Sequence, residues 1–281
     1  MDYSETVFDQ LVALETVPNA YSNWKNYRNK LSDFILANTE MGSKALIIGA
    51  GPCNDFDLCR LSEHFSEVGL LDWNSSVVEI GIKNQGAKKD RIHIFNQDLV
   101  GISKQDYRNL CIRMEKEISD SIRTGKANRS EISEKYISWI SELFNSRKPD
   151  PILMDNEAAD HIICIGFHSQ LLNYFPRIAL VYSRYTFLDL EKIFSKIKEM
   201  NHVLCPEITD NLFQIAKHTV ILGLEKQRIG MAGEIEGASQ AMHSLGKYNS
   251  FLNRRMELVW PFDLSTNKQY EMEIRSYSAC F

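Results

Sequence analysis

The stretch that decides the fold is Ala45-Leu46-Ile47-Ile48-Gly49-Ala50-Gly51-Pro52-Cys53-Asn54-Asp55. Its apolar run, bounded by Gly42-Ser43 before it and by glycine after it, suits a strand buried on both faces. The glycines at 49 and 51 let the backbone turn sharply and approach a ligand closely. Just beyond, Phe56, Leu58, Cys59 and Leu61 mark a helix over about 55–65. Val68-Gly69-Leu70-Leu71 is a second buried strand, ending at Asp72. Ser75 stands where it can cap the next helix, which carries Val77, Val78 and Ile80. Arg91–Phe95 is a third strand, with Asp98 just past its end. Strands alternating with helices at this pace imply β-α-β units and a parallel sheet.

Farther out, Tyr107, Leu110, Cys111, Met114, Ile118 and Ile122 form one helical stripe with Gly125 as its C-cap. Ser130 can cap a second helix carrying Tyr136, Ile137, Ile140, Leu143 and Phe144. This pair is long for a simple crossover. It reads either as an insertion over about 102–158, serving as a lid or a dimer surface, or as an elongated crossover. Asp160–Gly166 is the fourth strand. Residues 169–184 and 188–216 are expected to be mainly helical, with Pro206 starting a fresh helix; Ile178–Val181 is also open to a strand reading. Thr219–Leu224 is the fifth strand, and a helix begins near Glu236. Arg255–Trp260 is a strand followed by a loop to Lys268. Then Tyr270, Met272 and Ile274 alternate with Glu271, Glu273 and Arg275, the mark of a half-exposed strand, as in an antiparallel edge pair. Ahead of the first strand, 3–16 and 21–38 read as helices, the second with Trp24, Tyr27, Leu31, Phe34 and Ile35 on one face.

The 281 residues carry a net charge of −5, with 44% hydrophobic and 25% charged residues. This balance is that of an ordinary globular protein and excludes a disordered chain, a collagen or a coiled coil. The mild acidity argues against nucleic acid as the dedicated partner, since such binders carry a basic footprint. No apolar run approaches the roughly 18 residues of a membrane span. Met1–Glu5 is acidic where a secretory signal would be basic, so a cytoplasmic location is expected. The cysteines at 53, 59, 111, 164, 205 and 280 form no CxxC pair and no zinc-ligand spacing. They read as reduced thiols acting as small buried hydrophobes, and no metal is expected.

Open α/β sheets bind ligands at the carboxyl ends of their strands. Asp72 ends the second strand 21 residues after Gly51. An acid there can accept both hydroxyls of a ribose, each charge-assisted bond contributing roughly 1.5–3 kcal/mol. Asp98 is placed to meet an adenine amino group. The competing reading is that both acids cap the helices that follow. With the Gly49/Gly51 loop, Asp72, Asp98 and the terminal strand hairpin in place, the chain resembles the class I S-adenosylmethionine-dependent methyltransferases over about 45–281. A nicotinamide enzyme would want a third glycine where Asn54 stands, and Pro52-Cys53 is a poor start for a phosphate-cradling helix.

The resemblance implies an α/β, Rossmann-like sheet of seven strands, five parallel plus a C-terminal antiparallel hairpin. Residues 1–44 would form an N-terminal helical cap, and 45–281 the methyltransferase domain with its helical insertion. It implies S-adenosylmethionine as cofactor, with Gly49 and Gly51 at the methionine end. Asp72 and Trp73 would take the ribose, Asp98 and Leu99 the adenine. Gly166 would line the cofactor, and Tyr27 and Arg28 can meet its carboxylate or, for Arg28, a substrate carboxylate; a core stripe with a solvated arginine is the plainer reading of that pair. The chain departs from the family at Ile47, where an acid often contacts the methionine amino group, and at Cys53, the usual third glycine. Asp55 can supply the missing carboxylate.

The family places acceptor residues after the fourth strand, here Gly166-Phe167-His168-Ser169-Gln170-Leu171. The Asn/Asp-Pro-Pro-aromatic signature of adenine or glutamine N-methylation is absent, as is the Pro-Cys of cytosine enzymes. His168 can act as general base, orient substrate or hold the loop; Ser169 is expected to cap the next helix. Tyr21, Gln170, Tyr182 and Tyr185 are candidate substrate residues, with Gln240 a lesser one. Alignment alone supplies roughly 7–11 kcal/mol, so a carboxylate acceptor would need no base. The expectation is therefore O-methylation of a carboxylate or hydroxyl on a peptide or small-molecule natural product. The alternatives are N-methylation of a small amine, or a non-catalytic S-adenosylmethionine-binding regulator or scaffold, which Ile47 and Cys53 favour. Oligomeric state stays open, with a homodimer as one option.

Overall fold

A computed structural model describes residues 5–14, 17–124, 129–152 and 159–279. In chain order its elements begin with α1 (Val7–Ala13), α2 (Ala20–Asn23), α3 (Lys25–Ala37), β1 (Lys44–Ile48), α4 (Leu58–His64), β2 (Glu67–Asp72), α5 (Ser75–Gln85) and β3 (Ile92–Asn96). They continue with α6 (Lys104–Thr124), α7 (Arg129–Asn145), β4 (His161–Ile165), α8 (Tyr174–Tyr182) and α9 (Leu190–Ile215). The last are β5 (Thr219–Arg228), α10 (Ala238–Ser244), β6 (Leu252–Asp263) and β7 (Lys268–Ser278). The chain forms two compact units, one over 17–99, 151–170 and 205–281, the other over 1–16, 100–150 and 171–204.

The first unit holds a seven-stranded sheet in the order β3-β2-β1-β4-β5-β7-β6. β1 pairs in parallel with both β2 and β4, and β4 pairs in parallel with β5. β7 runs antiparallel to β5 and to β6. This is the sheet of the Rossmann-like methyltransferase fold. Ala45, Leu46, Ile47 and Ile48 are each at most 1% exposed, as a strand covered on both faces requires. On leaving β1 the chain continues to β2 on one side and later returns to β4 on the other. That reversal is the switch point at which such sheets bind ligands.

Several expectations are corrected. β6 and β7 form the expected antiparallel pair at the edge of the sheet, but β7 is the inner strand of that pair and its Glu273 is buried rather than exposed. Glu273 is paired with Arg275 and, at 2.6 Å, with Arg255 of β6, so the polar side of the alternation is covered by charge pairing. β6 takes the edge; its charged Arg254, Arg255 and Glu257 discourage pairing with another chain, and Pro261 is tolerated there. Ser75 is the first residue of α5, not its cap; Asn74 holds the cap position. Pro206 lies inside α9 rather than starting a helix. The helix persists because Cys205, Ile208, Leu212 and Phe213 are all buried, and burial at about 1.5–3 kcal/mol per large side chain outweighs the roughly 3 kcal/mol proline penalty. Ile178–Val181 is helical, within α8, in line with the helical reading of that stretch and not its strand alternative.

The second unit is helical. Phe8 of α1 stacks on Tyr107 of α6 at 5.1 Å and meets Tyr174 of α8 edge-on at 4.9 Å. Tyr136 of α7 donates to the Phe175 carbonyl at 2.7 Å. The expected pair of helices between β3 and β4 is present, and it packs with α1 and α8 as one core. Gly125 lies outside the described residues, as does the side chain of Ser130. Among the described residues no helix is long and apolar enough to cross a membrane, and no cluster of His, Cys, Asp and Glu has metal-binding geometry. Cys53, Cys111, Cys164 and Cys205 are buried free thiols, Cys59 is half-buried and free, and Cys280 is not described.

Candidate cofactor and acceptor site

The loop after β1 needs its glycines. Gly49 has φ +67°, and a Cβ there would lie 2.4 Å from the Phe167 ring. Gly51 has φ +50° and open space beside its Cα, so the backbone is exposed to whatever occupies the loop. Cys53, where the family carries a third glycine, is held at φ +54°, a conformation that costs an L-residue about 1–2 kcal/mol. Two residues of α5 hold the loop in this shape. A Cβ on Gly81 would come 2.3 Å from the Pro52 carbonyl, so glycine there lets the helix seat directly on the loop. The Gln85 amide donates to the Cys53 and Phe56 carbonyls at 2.7 and 3.1 Å and accepts from the Leu58 N–H at 2.9 Å. Sequence reasoning missed both, because a glycine or a glutamine inside a helix carries no local signature of what it touches.

Asp72 joins the second strand to this loop. Its Oδ2 accepts the Gly51 N–H at 2.9 Å, and its Oδ1 accepts the Asn74 N–H at 2.8 Å. A carboxylate oxygen can accept more than one hydrogen bond. Trp73 and Asp98 are half-buried and Leu99 is buried. Beside Asp98, the Gln97 Oε1 is buried without a partner, an acceptor that the sequence reading did not single out.

The most informative feature is a group of four buried polar atoms without partners: Asp55 Oδ1, Glu225 Oε2, Tyr27 Oη and Trp260 Nε1. Glu225 on β5 is 2% exposed, Tyr27 on α3 is 3% and Trp260 on β6 is 6%. Tyr27 stacks on Trp260 at 5.9 Å. The position a Gly166 Cβ would occupy is 3.6 Å from both Glu225 Oε1 and the Trp260 ring, so the end of β4 faces the same space. Glu225 Oε1 accepts the Ser169 hydroxyl at 2.7 Å. Burial pushes the Asp55 carboxyl up to about 7; the charge of Glu225 adds to the rise and Arg28 opposes it. Burial also raises Glu225, and Tyr27 rises through burial and the two neighbouring carboxylates. Arg28 is buried, donating to the Tyr21 and Asn54 carbonyls at 2.6 and 3.2 Å, with its guanidinium 3.8 Å from the Tyr21 ring centroid. It is therefore not a solvated arginine. An unsatisfied buried polar group costs about 1–3 kcal/mol. Asp55 and Glu225 bear on each other and on Tyr27, and Tyr27 stacks on Trp260, so the four lie in one neighbourhood and make it a candidate ligand site.

The remaining candidates divide. His168 is buried, and its Nε2 lies 3.2 Å from Thr209 Oγ1. The Thr209 hydroxyl spends its proton on the Cys205 carbonyl at 2.7 Å, so His168 Nε2 must be the donor and Nδ1 the lone pair. Burial lowers the imidazole to about 4, leaving it neutral. A Cβ on Gly237 would lie 2.2 Å from the His168 carbonyl, so the start of α10 presses on this turn. Of the roles left open, the geometry fits holding the loop. Ser169 does not cap a helix; it orients Glu225. Gln170 donates to Ser169 Oγ at 3.0 Å. Gln240 accepts the Gly237 N–H at 2.7 Å, an internal cap rather than a free contact. Tyr182 and Tyr185 belong to the helical unit. The Tyr182 hydroxyl is engaged there by Glu115 at 2.9 Å, and Tyr185 is 71% exposed. Tyr21 is partly exposed and supplies Arg28 with its carbonyl and ring.

No family model matches the chain, and no curated protein matches it. Solved structures do. One is a protein of Pyrococcus horikoshii provisionally assigned as an RNA methyltransferase, 12% identical, with TM-score 0.45 over 95% of this chain and 88% of that one. Another is the N-methyltransferase NodS of Bradyrhizobium japonicum WM9, 9% identical, with TM-score 0.44 over 93% of this chain and 97% of that one. The same NodS in complex with S-adenosyl-L-homocysteine matches at TM-score 0.44 and 9% identity, over 95% of this chain and 90% of that one.

Proposed function

We propose that the protein is an S-adenosylmethionine-dependent methyltransferase. The observation that carries this reading is the glycine loop at the β1/β4 switch point, tied by Gly51 N–H to Asp72 and followed by Asp55, whose Oδ1 is buried without a partner. These residues fit the group. Asp72 would take ribose hydroxyls, Asp98, Leu99 and the Gln97 carbonyl the adenine, and Asp55 an ammonium that Ile47 leaves without its usual partner. Arg28, fixed by two backbone carbonyls, brings a positive charge beside Asp55 for a carboxylate. When bound, the cofactor supplies a methyl group activated as a sulfonium. The chain's own task is alignment and exclusion of water, worth roughly 7–11 kcal/mol.

Calorimetry with S-adenosylmethionine and S-adenosylhomocysteine tests this directly: both should bind, and Asp72→Ala should abolish binding. Absence of binding at high micromolar ligand overturns the reading. Binding without turnover on any acceptor would favour the regulator or scaffold alternative. On the acceptor, the buried Glu225 disfavours an anion, which favours a neutral or cationic group over a carboxylate. A peptide or small-molecule natural product carrying that group, met in the cytoplasm, is the substrate class that the net charge of −5 supports.

A further inference from the structure

We infer that Glu225, Tyr27 and Trp260 form a subsite for the ammonium group of an amine acceptor. The inference rests on the methyltransferase reading and adds the acceptor class. Asp55, with Arg28 beside it, is a matched pair for one ammonium and one carboxylate, as on an amino-acid-like end. Glu225 remains. It stands on β5, beyond β4 from the glycine loop, and so on the acceptor side of the switch point. Ser169 fixes Oε1 and leaves Oε2 buried without a donor. Tyr27 Oη, unpartnered among the same groups, can accept a second N–H.

Aromatic rings pack around Trp260 beside these groups. Trp260 meets Trp24 at 5.0 Å, Phe262 at 4.9 Å and Tyr27 at 5.9 Å between ring centroids. An alkylammonium is held by aromatic faces as well as by a carboxylate. The groups that bear on Glu225 are Ser169, Lys268, Cys164, Asp55 and Tyr27. Lys268 makes no ion pair with it; the ammonium lies over Phe262 and Tyr270 at 4.5 and 5.5 Å. A carboxylate acceptor would face the buried acid of Glu225, and a hydroxyl would bring it no counter-charge.

The test uses the full chain saturated with S-adenosylhomocysteine, titrated with n-butylamine hydrochloride, sodium butyrate and n-butanol. Calorimetry and tryptophan fluorescence, which Trp260 should report, follow the titrations. The amine should bind saturably and at least tenfold more tightly than butyrate or butanol. Glu225→Gln should weaken the amine at least tenfold and leave S-adenosylhomocysteine affinity within about twofold; Tyr27→Phe should weaken the amine severalfold. Thermal melting of each variant establishes that it is folded. Equal binding of butyrate, or amine binding unchanged in Glu225→Gln, overturns the inference. So does a Glu225→Gln variant that loses affinity for S-adenosylmethionine but not for S-adenosylhomocysteine, since Glu225 would then face the sulfonium. Failure of S-adenosylhomocysteine to bind the unaltered chain would instead sink the cofactor reading. Amine binding to the cofactor-free chain, measured in parallel, still decides the subsite.

Discussion

Asp55 and His168 titrate in opposite senses. Asp55 keeps its proton up to about pH 7 in the folded chain, against about 4 when unfolded. The folded state therefore holds the extra proton between those values, and the stability this gives is lost as pH rises through them. A cation in the site needs the carboxylate. Affinity for S-adenosylmethionine should rise up to tenfold per pH unit below about 7 and level off above it, as calorimetry between about pH 5.5 and 8.5 would show. Asp55→Asn should flatten that slope and weaken binding. His168 is depressed from 6.5 to about 4, so its contribution is present above 6.5 and is lost as pH falls toward 4. The difference is roughly 3 kcal/mol. Urea titrations should show His168→Gln losing less stability than the unaltered chain over that window. Turnover between pH 6 and 9 should carry no limb from His168. Asp72→Asn, keeping the shape without the charge, should weaken the cofactor roughly 10- to 100-fold, the equivalent of one charge-assisted bond.

Helices and strands fix where those residues meet. Gly81→Ala on α5 would drive a methyl into the Pro52 carbonyl, 2.3 Å away, and overpacking of this kind costs about 1–3 kcal/mol. Melting temperature and cofactor affinity should fall together, because the glycine loop has to move. Glu273→Gln on β7 should cost about 1–3 kcal/mol by chemical denaturation, since Arg275 loses its carboxylate while the half-exposed Arg255 keeps Glu257. The strands β1, β2 and β4 were legible because a run of apolar residues ending in glycine or aspartate has a purely local cause; β5 runs on past its apolar run to Arg228 and so takes in Glu225. The role of Glu273 was not. Alternation shows that two faces differ, but only the neighbouring strand decides whether the polar face meets water. Pro206 failed as a helix start for a similar reason, since the apolar stripe on both sides of it keeps the turn helical.

At the scale of the molecule, sheet order places Gly49, Asp72 and Glu225 at one end of parallel strands far apart in sequence. Ile163 on β4 sits between β1 and β5 and is fully buried. Ile163→Ala should cost about 2–5 kcal/mol, read as a lowered melting temperature, whatever it does to ligand binding. The division of the chain into a sheet unit and a helical unit was only half visible. The long amphipathic helices after β3 were legible as a pair, which left an insertion and an elongated crossover both open. That α1 and α8 share it depends on Phe8, Tyr107 and Tyr174 meeting from three segments.

The sequence by itself determined the alternation of strands and helices, the glycine loop and the acid ending β2, because each follows from short-range sterics and burial. It also marked Asp55 as a spare carboxylate. Only the tertiary structure decided that Glu225, Tyr27 and Trp260 converge on the space beside it, and that His168 is an internal strut. Those facts depend on contacts across 28 to over 200 positions. No local pattern in one strand or helix says which polar atoms will be buried together without partners, and that arrangement is what points to the ligand.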